Sequence, residues 1–189
     1  MIGSPSYATR GDRYRCGRNI DSAAAPVLTS MLSGLRDGRI VGCAACAIEI
    51  SGYAKQALPT LAAVFRYWAA HDVGFTVGSA IRAGLADGDY ELAVDLATNP
   101  SYGQARGPIV IELARFRDRP GLRETLLKLV DDSSTTVYAL SGLGRVLPDA
   151  ELLAVLRQLA DEHPDERVRR IARADLKRKK RSLSHPNRG

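Results

Sequence analysis

A ladder of leucines recurs along this chain. Leu28, Leu61, Leu92, Leu122 and Leu152 are separated by 33, 31, 30 and 30 residues. Four residues after each stands another large apolar side chain: Leu32, Phe65, Leu96, Leu126 and Leu156. Positions four apart share one face of a helix, so each pair marks the buried stripe of one helix. The stripe of Leu152, Leu153, Leu156, Leu159 and Ala160 follows the 3.6-residue period, and no copy shows strand alternation. Pro26, Pro59, Pro120 and Pro148 stand just ahead of ladder leucines and predict helix starts, where a missing N–H costs nothing. The third copy has Asp87-Gly88-Asp89 there instead, a turn and expected cap.

Between the ladder helices lies a second set, expected at about 38–51, 73–86, 102–117, 134–146 and 166–181. These segments are rich in small residues, such as Ala139, Gly142 and Gly144, which let helices approach closely. The connections are short and polar, as in Asp131-Asp132-Ser133-Ser134 and Glu162-His163-Pro164-Asp165. The pattern is a string of helix–turn–helix units. One such unit cannot bury its own apolar face, whereas stacked neighbours share a core.

Several segments resemble the HEAT-repeat family, especially the short HEAT-like form of the bilin lyases. Val168-Arg169-Arg170-Ile171-Ala172 with Leu176 is similar to the Val-Arg-x-x-Ala start of that family's inner helix. Ala105-Arg106 with Ile109 and Leu113, Thr135-Thr136 with Ala139 and Leu143, and Val77 with Ile81 and Leu85 are looser versions. Ala57-Leu58-Pro59-Thr60-Leu61 and Ala25-Pro26-Val27-Leu28 resemble the start of its other helix. The resemblance implies an all-α, right-handed α-solenoid over residues 21–181, with about five helix pairs and a basic C-terminal helix. A basic arm (1–20) would precede it and a disordered tail (182–189) would follow. It further implies a non-catalytic scaffold that grips a protein partner on a concave face. Tetrapyrrole chemistry like that of the bilin lyases and base excision like that of HEAT-like DNA glycosylases come with the same fold family.

Charge is distributed unevenly over the 189 residues. The net charge is +6, yet residues 1–20 carry +3 and residues 166–189 carry +8, so the body is acidic. An acidic body weakens a nucleic-acid reading for the body and keeps it open for the ends. Arg outnumbers Lys 22 to 5, a composition suggestive of a GC-rich bacterial genome. Three cysteines, an odd count, with no signal peptide legible at the start, lead us to expect reduced thiols and a cytoplasmic protein. The longest uncharged apolar run, from Ile40 to Ile48, is too short to span a bilayer, so no membrane partner is expected.

No motif carries catalysis. Cys43-Ala44-Ala45-Cys46 has neither a second ligand pair nor a strand–helix context, so it reads as small core residues. Gly142-Leu143-Gly144 lacks the third glycine of a nucleotide loop. His71, His163 and His185 lie far apart, with no nucleophile beside them. Asp87, Asp89, Asp131, Asp132, Asp161, Glu162, Asp165 and Glu166 fall at inter-helix turns, where carboxylates cap helices. No metal, cofactor or enzymatic activity is expected. The candidate partner-binding residues are Arg39, Arg82, Arg106 and Arg169 on the second helices, with Arg66, Tyr67 and Trp68. Core packing is the first expectation for Trp68; exposure of this trio would make it a partner anchor. The alternative function is binding of a nucleic-acid backbone through the N-terminal arm and Arg170, Arg173, Lys177, Arg178, Lys179, Lys180 and Arg181, where a soluble capping helix is the plainer reading.

Overall fold

The computed structural model describes residues 22–184. The arm expected at 1–20, and His185 with the rest of the tail, lie outside them. Among the described residues every regular element is helical. The chain divides into two compact units, Met1–Ile109 and Val110–Gly189, where one array was expected.

The first unit opens with a 3₁₀ turn, Ser22–Ala24. It continues through α1 (Ala25–Leu32), α2 (Gly38–Ile50), α3 (Ala54–Trp68), α4 (Gly74–Gly84) and α5 (Tyr90–Thr98) to a 3₁₀ stretch, Pro100–Arg106. Here α1 packs on α2 and on α3, α3 packs on α4, and α2 packs on α4. First helices of successive pairs thus touch each other, and so do second helices. Asp37 starts α2, accepting from the N–H groups of Arg39 at 2.8 Å and Ile40 at 3.4 Å. Gly52, at φ 72°, turns the chain so that α3 begins at Ala54. Pro59 therefore sits inside α3 rather than at its start. The helix loses one backbone bond there, and the proline ring lies exposed.

A short helix, α6 (Gly107–Glu112), spans the boundary between the units. The second unit holds a 3₁₀ turn, Leu113–Phe116, then α7 (Leu122–Val130), α8 (Thr136–Val146), α9 (Asp149–Glu162) and α10 (Glu166–Ser184). In it α7 pairs with α8, and α9 with α10. The last helix runs through Ser184, so residues 182–184 are helical and do not belong to a disordered tail. The helix expected at 102–117 is broken, because Gly103 adopts φ 48° and ψ −135° after the Asn99-Pro100 turn.

The ladder forms the core. Leu32, Phe65, Leu96, Leu126 and Leu156 are each at most 2% exposed. Leu61, Leu122 and Leu152 are also buried, whereas Leu28 and Leu92 are half-buried. The second helices contribute Val77 and Ile81, Ile109 and Leu113, Ala139 and Leu143, and Val168 and Ala172. Close approach is sharpest at Gly78 and Gly84, where a Cβ would come within 2.4 Å of the Ala105 and Ala54 carbonyl oxygens. Gly142 packs against Leu126 as expected of a small residue, but Gly144 is exposed and separates nothing.

Candidate partner-binding site

Three positions that match the Val-Arg element of the sequence turn out to be joints. Arg106, Thr136 and Arg169 each stand three residues ahead of a buried apolar residue of a second helix, Ile109, Ala139 or Ala172. Each donates from its side chain to carbonyls at the end of the preceding ladder helix. Arg106 is 1% exposed; one terminal N–H reaches the Ala97 carbonyl at 3.0 Å and its Nε the Gly103 carbonyl at 3.1 Å. Thr136 Oγ1 donates toward the Val130 carbonyl at 2.9 Å. Arg169 reaches the carbonyls of His163 and Pro164 and pairs with Glu166. These groups satisfy the acceptors that every helix end leaves open. In the first two pairs the same register holds Gly38 and Gly74, and at Gly74 a Cβ would come 2.7 Å from Ala69 backbone atoms. Arg106 is therefore a buried structural residue and is withdrawn from the partner-facing set. Arg169 is largely committed to its own turn.

Of the turn carboxylates, Asp165 caps the start of α10, whereas Asp89 and Asp132 close the turns ahead of α5 and α8 without capping those helices. Asp89 accepts from the Ala86 N–H at 2.8 Å, Asp132 from the Ser134 N–H at 2.8 Å and Asp165 from the Arg167 N–H at 2.7 Å. His163 is a tie rather than a base. Its Nδ1 accepts from the Asp165 N–H at 3.1 Å, so Nε2 carries the proton and faces Asp131 Oδ1 at 3.0 Å. It stands at one end of an open groove of about 520 Å³ between α7 and α9, floored by Leu127, Val155 and Leu159. Cys43 and Cys46 form no disulfide and are half-buried rather than core, and Val41, Ala44, Ala45, Ala47 and Ile48 supply the buried face of α2. Among the described residues no group of three or more His, Cys, Asp or Glu is arranged to hold a metal.

The end of α3 gathers a different set. Tyr67 is 64% exposed and Trp68 half-buried, and their rings meet edge to face with centroids 5.3 Å apart. His71 joins them, 5.1 Å from Trp68 and 6.5 Å from Tyr67. One face of Trp68 rests on the start of α2, where a Cβ on Gly38 would lie 3.3 Å from Cζ3. Trp68 is thus neither plain core nor a loose surface ring: it is half-buried, and the missing side chain at Gly38 leaves room for it against α2. Arg39, next to that glycine, is exposed. Arg66 is exposed on the flank and pairs with Asp95 at 2.9 Å. Arg82 lies apart from this cluster on α4, 3.9 Å from Glu49. Burial pushes the Glu49 carboxyl up from its ordinary pKa, and Arg82 only partly offsets this. Within the first unit the structure therefore keeps Arg66, Tyr67 and Trp68 together at the end of α3, with Arg39 beside Gly38, while Arg82 pairs with Glu49 and Arg106 is buried. Sequence reasoning left His71 out, although its position three residues after Trp68 was a usable signal.

The C-terminal cations behave as two groups. Arg170, Arg173, Lys177, Arg178, Lys180 and Arg181 are exposed on α10. Lys179 turns inward and holds Asp149, at the start of α9, at 2.6 Å. Comparison of this chain with protein-family models, with curated proteins and with solved structures finds no match in any of the three.

Proposed function

We propose that this chain is a non-catalytic binding module, a HEAT-like right-handed solenoid of helix pairs that grips a protein partner. The observation that carries the reading is the ring cluster of exposed Tyr67 and His71 with half-buried Trp68, which packs close to Gly38; in sequence Arg66 precedes Tyr67 and Arg39 follows Gly38. Tyr, Trp and Arg are the residues in which interface energy concentrates. Aromatic rings held rigid before binding lose little entropy on contact. Tyr67 leaves most of its ring in water and Trp68 part of its own, and a partner that covers them recovers that apolar area. The repeat architecture supports the same reading, because stacked helix pairs offer long side-chain surfaces without needing a reaction centre.

The test is capture from a lysate of the native host, with nuclease present, comparing wild type with Tyr67→Ala. Tyr67 is mostly exposed, so the substitution should leave the melting temperature within about 1 °C. A defined protein retained by wild type, and bound at least about tenfold more weakly by the variant, supports the reading. A partner held equally by both proteins removes the cluster from the interface.

A further inference from the structure

The outward face of α10 is a continuous cationic surface. Val168 and Ala172 are buried, and Ile171, Asp175, Leu176 and Lys179 are half-buried, so one side of the helix is committed to α9. At 100° per residue, the opposite side is centred on Arg170 and Lys177. It carries Arg167, Arg170, Arg173, Lys177, Lys180 and Arg181, all exposed. Glu166, at the start of the helix, Ala174 and Ser184 interrupt it. From Arg167 to Arg181 this face runs for about 21 Å, four helical turns. Within the helix the acids are few. Glu166 serves Arg169 and lies 3.4 Å from Arg173, and Asp175 holds Arg178 on the flank at 2.9 Å. A polar cap to a helical stack needs only solubility, which mixed charges supply. One sign repeated over four turns is more than that, and its self-repulsion is relieved by a polyanion.

We propose that this face of α10 binds the phosphate backbone of duplex DNA. The chemistry distinguishes among polyanions. The apolar stripe of α10 is largely taken up by α9, with Val168 and Ala172 buried, and the exposed Leu183 at its end is far short of the apolar face that an interfacial helix requires. The helix holds no Phe, Tyr or Trp, so it offers no platform for the unstacked bases of a single strand. It also holds no Asn or Gln for reading adenine edges, and the contacts proposed for its arginines and lysines are to phosphates. A helix about 10–12 Å wide fits the mouth of the B-form major groove, with long Arg and Lys side chains reaching the phosphates on either side. The deep, narrow major groove of an A-form duplex denies it that approach.

The experiment is fluorescence anisotropy of the full chain with a labelled mixed-sequence duplex of about 20 base pairs. Four to six phosphate contacts predict a log–log salt slope of about −4 to −5. The variant Arg170→Glu/Lys177→Glu/Arg181→Glu should lose at least about a hundredfold in affinity. A variant with the same change of net charge elsewhere, Lys55→Glu/Arg117→Glu/Arg145→Glu, should stay within about threefold of wild type. All substituted residues are exposed, and circular dichroism checks that both variants are folded. Equal loss in the two variants would mean that only net charge matters and would overturn the proposal. So would a flat salt response, a preference for single strands or duplex RNA, or co-sedimentation with phosphatidylserine vesicles. None of these outcomes bears on the Tyr67 interface, which is tested separately.

Discussion

Burying the Arg106 guanidinium takes a full charge out of water, and the carbonyls of Ala97 and Gly103 replace part of that hydration. At the same joint position, Thr136 and Arg169 do related work with different chemistry. Thr136 is as buried as Arg106 but neutral, and Arg169 keeps 27% of its side chain exposed. The order of their contributions follows. Arg106→Ala strips donors from buried carbonyls and leaves a large void, and should cost about 3 kcal/mol. Thr136→Val keeps the volume but leaves the Val130 carbonyl short of a donor, for about 1–2 kcal/mol. Arg169→Ala lets water replace the guanidinium and should cost about 1 kcal/mol or less. Urea denaturation of the three variants checks the ranking. An Arg106→Ala protein no less stable than Arg169→Ala would show that the buried guanidinium is not holding the joint.

Each ladder helix contributes two rungs, and their burial is not equal. The second rung of α5, Leu96, is fully buried, whereas the first, Leu92, is half-buried. Leu96→Ala should therefore cost about 2–5 kcal/mol and Leu92→Ala clearly less. Near-equal losses in chemical denaturation would contradict the burial pattern. Gly84 tests the approach of elements more sharply. Alanine normally stabilises a helix by about 0.8–1 kcal/mol over glycine, yet at position 84 its Cβ would meet the Ala54 carbonyl at 2.4 Å. Gly84→Ala should lower the melting temperature, and a rise would mean that α3 and α4 separate freely. Much of this was legible in advance. The ladder spacing located the helices α1, α3, α5, α7 and α9, and the gaps between them located α2, α4, α8 and α10. Periodicity reports which positions are apolar, not which polar positions are inside. Arg106 therefore read as a surface contact, although a motif arginine at a helix start has a local use in closing the preceding helix end. The Gly103 break escaped for a related reason. A glycine inside an apolar pattern is ordinary until its φ is known, and only the Asn99-Pro100 pair hinted at a turn there.

For the whole molecule, charge decides how stability responds to pH, and two carboxyls pull in opposite directions. Glu166 lies below its ordinary pKa because Arg169 hydrogen-bonds and attracts its ionised form. Its contribution to stability is present above the unfolded value of 4.5 and is lost as pH falls through the lower folded value. Glu49 lies above 4.5 because burial disfavours its charge more than Arg82 favours it. Its protonated form suits the fold, so that contribution is present below the unfolded value and is lost as pH rises through the folded one. Glutamine mimics the neutral acid at either site, which makes the two signs separable. Near pH 3, below its ordinary value, Glu49 is protonated, so Glu49→Gln should melt close to wild type there, and the Glu166→Gln difference should shrink as pH falls through that group's lowered pKa. Near pH 7, Glu49→Gln should melt higher than wild type, since it removes a poorly solvated charge whose arginine is 3.9 Å away. At the same pH Glu166→Gln should melt slightly lower, by no more than an exposed ion pair allows. Melting curves at both pH values decide the matter. A Glu49→Gln protein destabilised at neutral pH would mean that the Arg82 attraction outweighs burial. The pair would then be a stabilising link between α2 and α4 rather than a charge the fold tolerates.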